Sequence, residues 1–209
     1  MIAVIDYGVG NVFSLCRSLE AIGQTPVVTG DPAQLRKADR LFLPGVGAFA
    51  DAAAKLRETG LDQVVKEEAA RGKPLMGICL GMQLLFDESY EFGQYEGLGL
   101  IPGKVVGMEG TIPSELKIPH IGWNRLLFPE DKPRHPLLRT VEDGDCVYFV
   151  HSFYATDCDP SVIAQAEYGK VLTAAVAKDN VMGCQFHPEK SGEVGLKILR
   201  AFCEMEADA

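Results

Sequence analysis

A chain of 209 residues, 47% of them hydrophobic, is long enough to bury one sizeable core, and a single domain over residues 1–209 is expected. Against 29 Asp and Glu stand only 20 Lys and Arg, a formal charge of −9, with no basic patch of the kind a nucleic-acid binder carries. No run reaches the roughly 18 apolar residues of a membrane span, and the amino-terminal MIAVIDYGVG has neither a basic leader nor a long apolar core, so a cytoplasmic location is expected.

Residues 2–6 (IAVID) read as a buried strand, and residues 11–22 as a helix with its apolar face at Val12, Leu15, Cys16, Leu19 and Ile22. Strands follow at 26–28 and 40–43 (RLFL), helices at 48–58 and 61–71, a strand at 75–78 and a helix over about 80–86. Alternating strands and helices predict an α/β fold, an open and mostly parallel twisted sheet with helices on both faces. Residues 93–128 are rich in Gly and Pro, with an extended piece at 104–108. Further strands are predicted at 147–150 (VYFV), 162–166 and 172–177, and a hairpin turning at 178–180, giving the carboxyl-terminal half an antiparallel region. A last helix over 193–204 has Ser191 as its candidate cap.

The six cysteines lie far apart with no C-x-x-C pair, so disulfides and a zinc or redox centre are not expected and most thiols read as core. Cys79 is the exception. Gly77-Ile78-Cys79-Leu80-Gly81 has the G-x-C-x-G form of a nucleophile elbow, at a strand-to-helix junction. Such a turn strains the nucleophile's backbone and leaves no room for flanking side chains. It also lies at the carboxyl end of a strand, where open α/β sheets place ligands, and at a helix N-terminus whose partial positive charge favours thiolate.

A thiol nucleophile needs an oriented base. In GCQFHPEKS, Pro188 holds the preceding His187 extended, so that Glu189 at i+2 can reach the imidazole. His151 is the rival base, but Phe153 stands at its i+2. Donors for an oxyanion are expected from the Leu80 amide and from the Pro44-Gly45-Val46-Gly47 loop, with the Val46 amide as the second donor. Gly8-Val9-Gly10 with Asp31 resembles half of a dinucleotide fingerprint, but Phe13 replaces the third glycine, and a turn or contact loop is the better reading.

These motifs resemble those of the class I (triad) glutamine amidotransferases over essentially the whole chain. Within that class DYGVGN (6–11), LPGVGAF (43–49), GICLGMQLLF (77–86), PHIGWN (119–124), YFVHSFY (148–154) and QFHPEKS (185–191) are most similar to glutaminase subunits serving imidazole glycerol phosphate synthase. The resemblance implies that Cys79 attacks the glutamine amide, with His187 and Glu189 completing a triad. It further implies that Gly47, Gln83, Glu91 and the backbone at Ser152 and Phe153 hold glutamine, and that no cofactor or metal is used. Phe153 stands where the family often has tyrosine, a change that a main-chain role tolerates. A (βα)8-barrel cyclase is the implied partner in a heterodimer, with Asn11, Trp123, Tyr148 and Lys190 at or near the interface. From the residues alone, another cysteine hydrolase of similar fold or a glutaminase serving a different synthase stays open.

Overall fold

The structure is a computed structural model that describes residues 1–205. In chain order it contains β1 (Ile2–Ile5), α1 (Val12–Ala21), β2 (Pro26–Thr29), α2 (Pro32–Lys37), β3 (Arg40–Gly45), α3 (Phe49–Glu58), α4 (Leu61–Ala70), β4 (Leu75–Cys79) and α5 (Leu80–Gln83). Then come β5 (Glu88–Ser89), β6 (Tyr95–Glu96), β7 (Lys104–Gly107), β8 (His120–Arg125), β9 (Cys146–His151), β10 (Phe153–Thr156), β11 (Val162–Glu167), β12 (Val171–Lys178), β13 (Val181–Cys184) and α6 (Gly192–Glu204).

The central sheet has the order β11-β12-β13-β4-β3-β1-β2. Pairs from β13 through β4, β3 and β1 to β2 are parallel, and β11–β12 and β12–β13 are antiparallel. Side chains alternate across it: Ala3, Ile5, Leu41 and Leu43 enter the core under α2, α3 and α4, while Val4, Phe42 and Met76 enter the core under α1 and α6. Burial on both faces is why these strands read as continuous apolar runs. In the second core Phe42 meets Phe202 edge-on, ring centroids 4.8 Å apart, and each such buried ring contributes about 1.5–3 kcal/mol. A smaller sheet, β10-β7-β5-β6, and the β8–β9 pair stand beside the main one.

The register brings the chemistry together. Gly45, the last residue of β3, pairs with Cys79, the last of β4, and Cys184, the last of β13, pairs with Ile78. The Pro44–Gly47 loop, the elbow and the segment 185–191 therefore leave three neighbouring strands at their carboxyl ends.

Several local expectations are corrected. The helix after the elbow stops at Gln83, not Phe86, because the carbonyls of Leu84, Leu85 and Phe86 are taken by the amides of residues 98–101. A helix α2 that the sequence reading did not foresee follows Asp31, whose carboxylate accepts from the Ala33 amide and caps it, with Pro32 in its first turn. Ser191 sits at the N-cap position of α6 without a capping hydrogen bond. Its hydroxyl instead donates to the His187 carbonyl at 2.6 Å and accepts from the Tyr148 amide at 2.9 Å.

Candidate active site

Cys79 has φ 54° and ψ −111°, a backbone that few non-glycine residues adopt. The two flanking glycines are explained by close approach of α5 to the sheet. A Cβ on Gly77 would lie 2.6 Å from the Gly81 carbonyl oxygen, and one on Gly81 would lie 1.8 Å from the Leu43 carbonyl oxygen. No side chain fits at either position, so the turn that presents the thiol needs both glycines. The thiol sits in the floor of a cleft, with Cys79 8% exposed.

His187 follows β13. Its Nδ1–H donates to Glu189 Oε1 at 2.7 Å, and both side chains are only 3% exposed. Among the described residues the second carboxylate oxygen is buried with no hydrogen-bond partner, leaving the His187 imidazole as the group this carboxylate meets. The His187 backbone is pinned as well: its amide donates to the Tyr148 carbonyl at 2.9 Å. Burial alone pushes His187 down. Its interactions with Cys79 and Glu189 outweigh that and lift it from 6.5 to about 9.

A cavity of about 760 Å³ opens over Cys79 and His187. Val46, Gly47, Leu80 and Gln83 line it from the β3 and β4 side, and Glu91, Ser152, Phe153 and Lys190 from other elements. A larger groove of about 920 Å³, between residues 127–132 and 159–165, contains none of these groups. Leu80 is the first residue of α5, where a helical amide has no partner within its helix, and Val46 is 41% exposed at the cavity mouth. Glu91 is buried, and its Oε2 accepts from the Phe49 amide at 2.9 Å, capping α3 from a distance. Burial raises its pKa, and the Phe49 hydrogen bond opposes the rise.

Gln83 donates to the Phe153 carbonyl at 3.1 Å and to Gln185 Oε1 at 3.0 Å, and Gln185 Nε2 lies 3.7 Å from the Cys79 sulfur as a donor. Sequence reasoning missed Gln185, although its place two residues before His187 at a strand end was a usable signal. His151, the rival base, is occupied. Its Nδ1–H donates to the Phe153 carbonyl at 2.9 Å, so its Nε2 accepts, and His120 Nδ1–H donates to it at 3.1 Å. Burial holds His151 down at about 3 and His120 at about 4, both neutral.

Of the expected interface residues, Trp123 is 58% exposed and Tyr148 half-buried, and the two are cross-strand partners on β8 and β9 with ring centroids 6.1 Å apart. Lys190 reaches to 6.0 Å from the Tyr148 ring, and Asn11 stands half-buried at the start of α1.

A cysteine on a strained elbow, a histidine–glutamate pair across from it and an open α/β sheet define a triad amidohydrolase. The chain belongs to the class-I glutamine amidotransferase family, whose model matches residues 3–205. Among its relatives, imidazole glycerol phosphate synthase subunit HisH of Geobacillus sp. (strain WCH70) is 51% identical over 210 residues, covering 98% of this chain and 97% of that protein. The subunit of the same name from Halalkalibacterium halodurans is 49% identical, covering 98% and 96%. In fold, the solved structure of PurLQS from Thermotoga maritima matches with a TM-score of 0.74 at 24% identity, covering 97% of this chain and 96% of that one.

Proposed function

We propose that the chain is the glutaminase subunit of imidazole glycerol phosphate synthase, which hydrolyses L-glutamine and delivers the ammonia to a (βα)8-barrel cyclase. There the ammonia is used to form imidazole glycerol phosphate and an aminoimidazole carboxamide ribotide in histidine biosynthesis. Near-full-length identity of about half to two synthase subunits supports the biological role. The observation that carries the chemistry is Cys79 on its strained turn with the His187–Glu189 pair bearing on the same cavity.

In this reading Cys79 attacks the side-chain amide carbon of glutamine, and the carbonyl oxygen becomes an oxyanion held by the Leu80 and Val46 amides. His187, kept protonated up to about pH 9, donates its proton to the departing nitrogen, so ammonia leaves and a glutamyl thioester remains. Neutral His187 then takes a proton from water, hydroxide adds to the thioester, and glutamate departs with Cys79 regenerated. Glu189 fixes the imidazole through Nδ1 and balances its charge at both stages. Gly47, Gln83, Glu91 and the Ser152–Phe153 backbone hold glutamine in the cavity. Exposed Phe13, Val46, Ile121 and Trp123 supply apolar surface for the cyclase, with Asn11, Tyr148 and Lys190 beside it.

The test separates the two nitrogen sources. Cys79→Ala in the assembled complex is expected to abolish glutamine-driven synthesis and leave synthesis from added ammonium salts intact. Loss of both routes in an assembled complex would make Cys79 structural and refute the assignment.

A further inference from the structure

The first strand delivers a side chain that the triad does not use. Tyr7, two residues past the end of β1, is buried in the core beneath the elbow among Leu43, Leu80 and their neighbours. Its hydroxyl donates to the Pro44 carbonyl at 2.8 Å. We propose that Tyr7 is a positioning residue for the glutaminase reaction, its hydroxyl tethering the Pro44 carbonyl and so setting the peptide plane that leads into the Val46 amide. This rests on the reading of Val46 as an oxyanion donor given above.

Three observations converge on it. First, the tether acts where the chain leaves β3, one peptide before the proposed donor, and a peptide whose carbonyl is held cannot rotate freely. Second, Gly45 is clamped between the tether and the first residues of α5. A Cβ there would lie 2.7 Å from the Gly81 amide nitrogen and 3.0 Å from the Tyr7 hydroxyl. Third, the other side of Val46 is uncrowded: Gly47 has φ +98°, and among the described residues a Cβ added there would meet nothing within 4 Å. The loop is thus held at its β3 end and uncrowded beyond Val46, so the tether decides where the Val46 N–H starts from. Burial first, and the charge of Cys79 second, push the Tyr7 pKa above the ordinary tyrosine value, so the phenol keeps its proton and remains a donor.

Tyr7→Phe keeps the ring and removes only the tether. In the complex with the cyclase, kcat for glutamine-driven synthesis is expected to fall about tenfold, because the oxyanion donor is correctly placed for a smaller fraction of the time. The KM for glutamine should stay within about twofold, because the ground state does not use the oxyanion hole. Ammonium-driven synthesis and the rate of Cys79 alkylation by iodoacetamide should not change. Leu43→Val, which loosens the same core without touching the tether, is the control: a lower melting temperature with kcat within about twofold of the parent. A wild-type kcat in Tyr7→Phe overturns the proposal, as does a fall no larger than that of Leu43→Val. Loss of the ammonium route, or failure of Tyr7→Phe to assemble with the cyclase, overturns it too, since the hydroxyl would then serve the fold. Cys79→Ala run alongside keeps the failures apart. Glutamine-driven activity surviving that change removes the underlying reading, whereas an inactive Cys79→Ala beside a normal Tyr7→Phe removes this inference alone.

Discussion

Acidification from about pH 7.5 to about pH 5 sets buried histidines against one another. His151 at about 3 and His120 at about 4 stay neutral in the folded chain, whereas an unfolded histidine titrates near 6.5. Stability tied to such depressed groups is complete above 6.5 and is lost as pH falls toward the folded values, roughly 2 kcal/mol for each over this interval. His187 at about 9 has the opposite sign: its contribution is complete below 6.5 and lost as pH rises through 9, so acidification adds roughly 1.4 kcal/mol. The three together leave a net loss of roughly 2–3 kcal/mol. His120→Asn keeps a donor for His151 Nε2 and removes one titrating group, so its acid loss should be smaller than the parent's by roughly 2 kcal/mol. His135, also held down by burial, and the carboxylates are common to both proteins and drop out of the comparison. Urea unfolding followed by circular dichroism at the two pH values, with equal m-values, measures both losses. An equal acid loss in His120→Asn and the parent, or a parent stabilised by acid, would refute the reasoning.

Glu189→Gln keeps the shape of the pair but not its charge, and should lower glutaminase kcat by about 10²–10⁴ with KM for glutamine nearly unchanged. Its alkaline limb, expected near pH 9 in the parent, should move to lower pH; a raised KM with normal kcat would instead make Glu189 a substrate ligand. Gly81→Ala drives a methyl into the Leu43 carbonyl and should cost about 3 kcal/mol or more, seen as a lower urea midpoint; a shift below about 0.5 kcal/mol would disprove the close approach. Cys184→Ser, at a fully buried thiol on β13, should cost about 1–3 kcal/mol of stability while kcat holds within about twofold. A kcat loss without a stability loss would move Cys184 into the chemistry.

The legible parts of this protein were those encoded by neighbours in sequence. RLFL, LMGIC and HPE announce themselves because a buried parallel strand is apolar throughout and an elbow or an oriented histidine is built within five residues. Gln185 on the thiol, the Tyr7 tether and the His120–His151 pair each join segments far apart in the chain, and no local pattern records such a meeting. The helix after Cys79 was read too long for a related reason. Residues 84–86 have helical character, but the backbone of residues 98–101 competes for their carbonyls and wins. Asp31 shows the reverse case, a carboxylate at a ligand-like spacing, set aside as half a fingerprint, that caps the helix next to it.

The place of β13 in the main sheet has a consequence for how the protein is made. The strand carrying Cys79 pairs with β3 on one side, but its other side is filled only when Val181–Cys184 arrives, with Val181 opposite Leu75. During synthesis that flank is an open, wholly apolar edge, the kind of surface that recruits other chains. The strand that closes it is followed within three residues by His187. The strand that covers this edge therefore also brings His187, proposed above as the thiol's proton partner, alongside Cys79. A nascent chain that stops short of it leaves β4 with an uncovered flank.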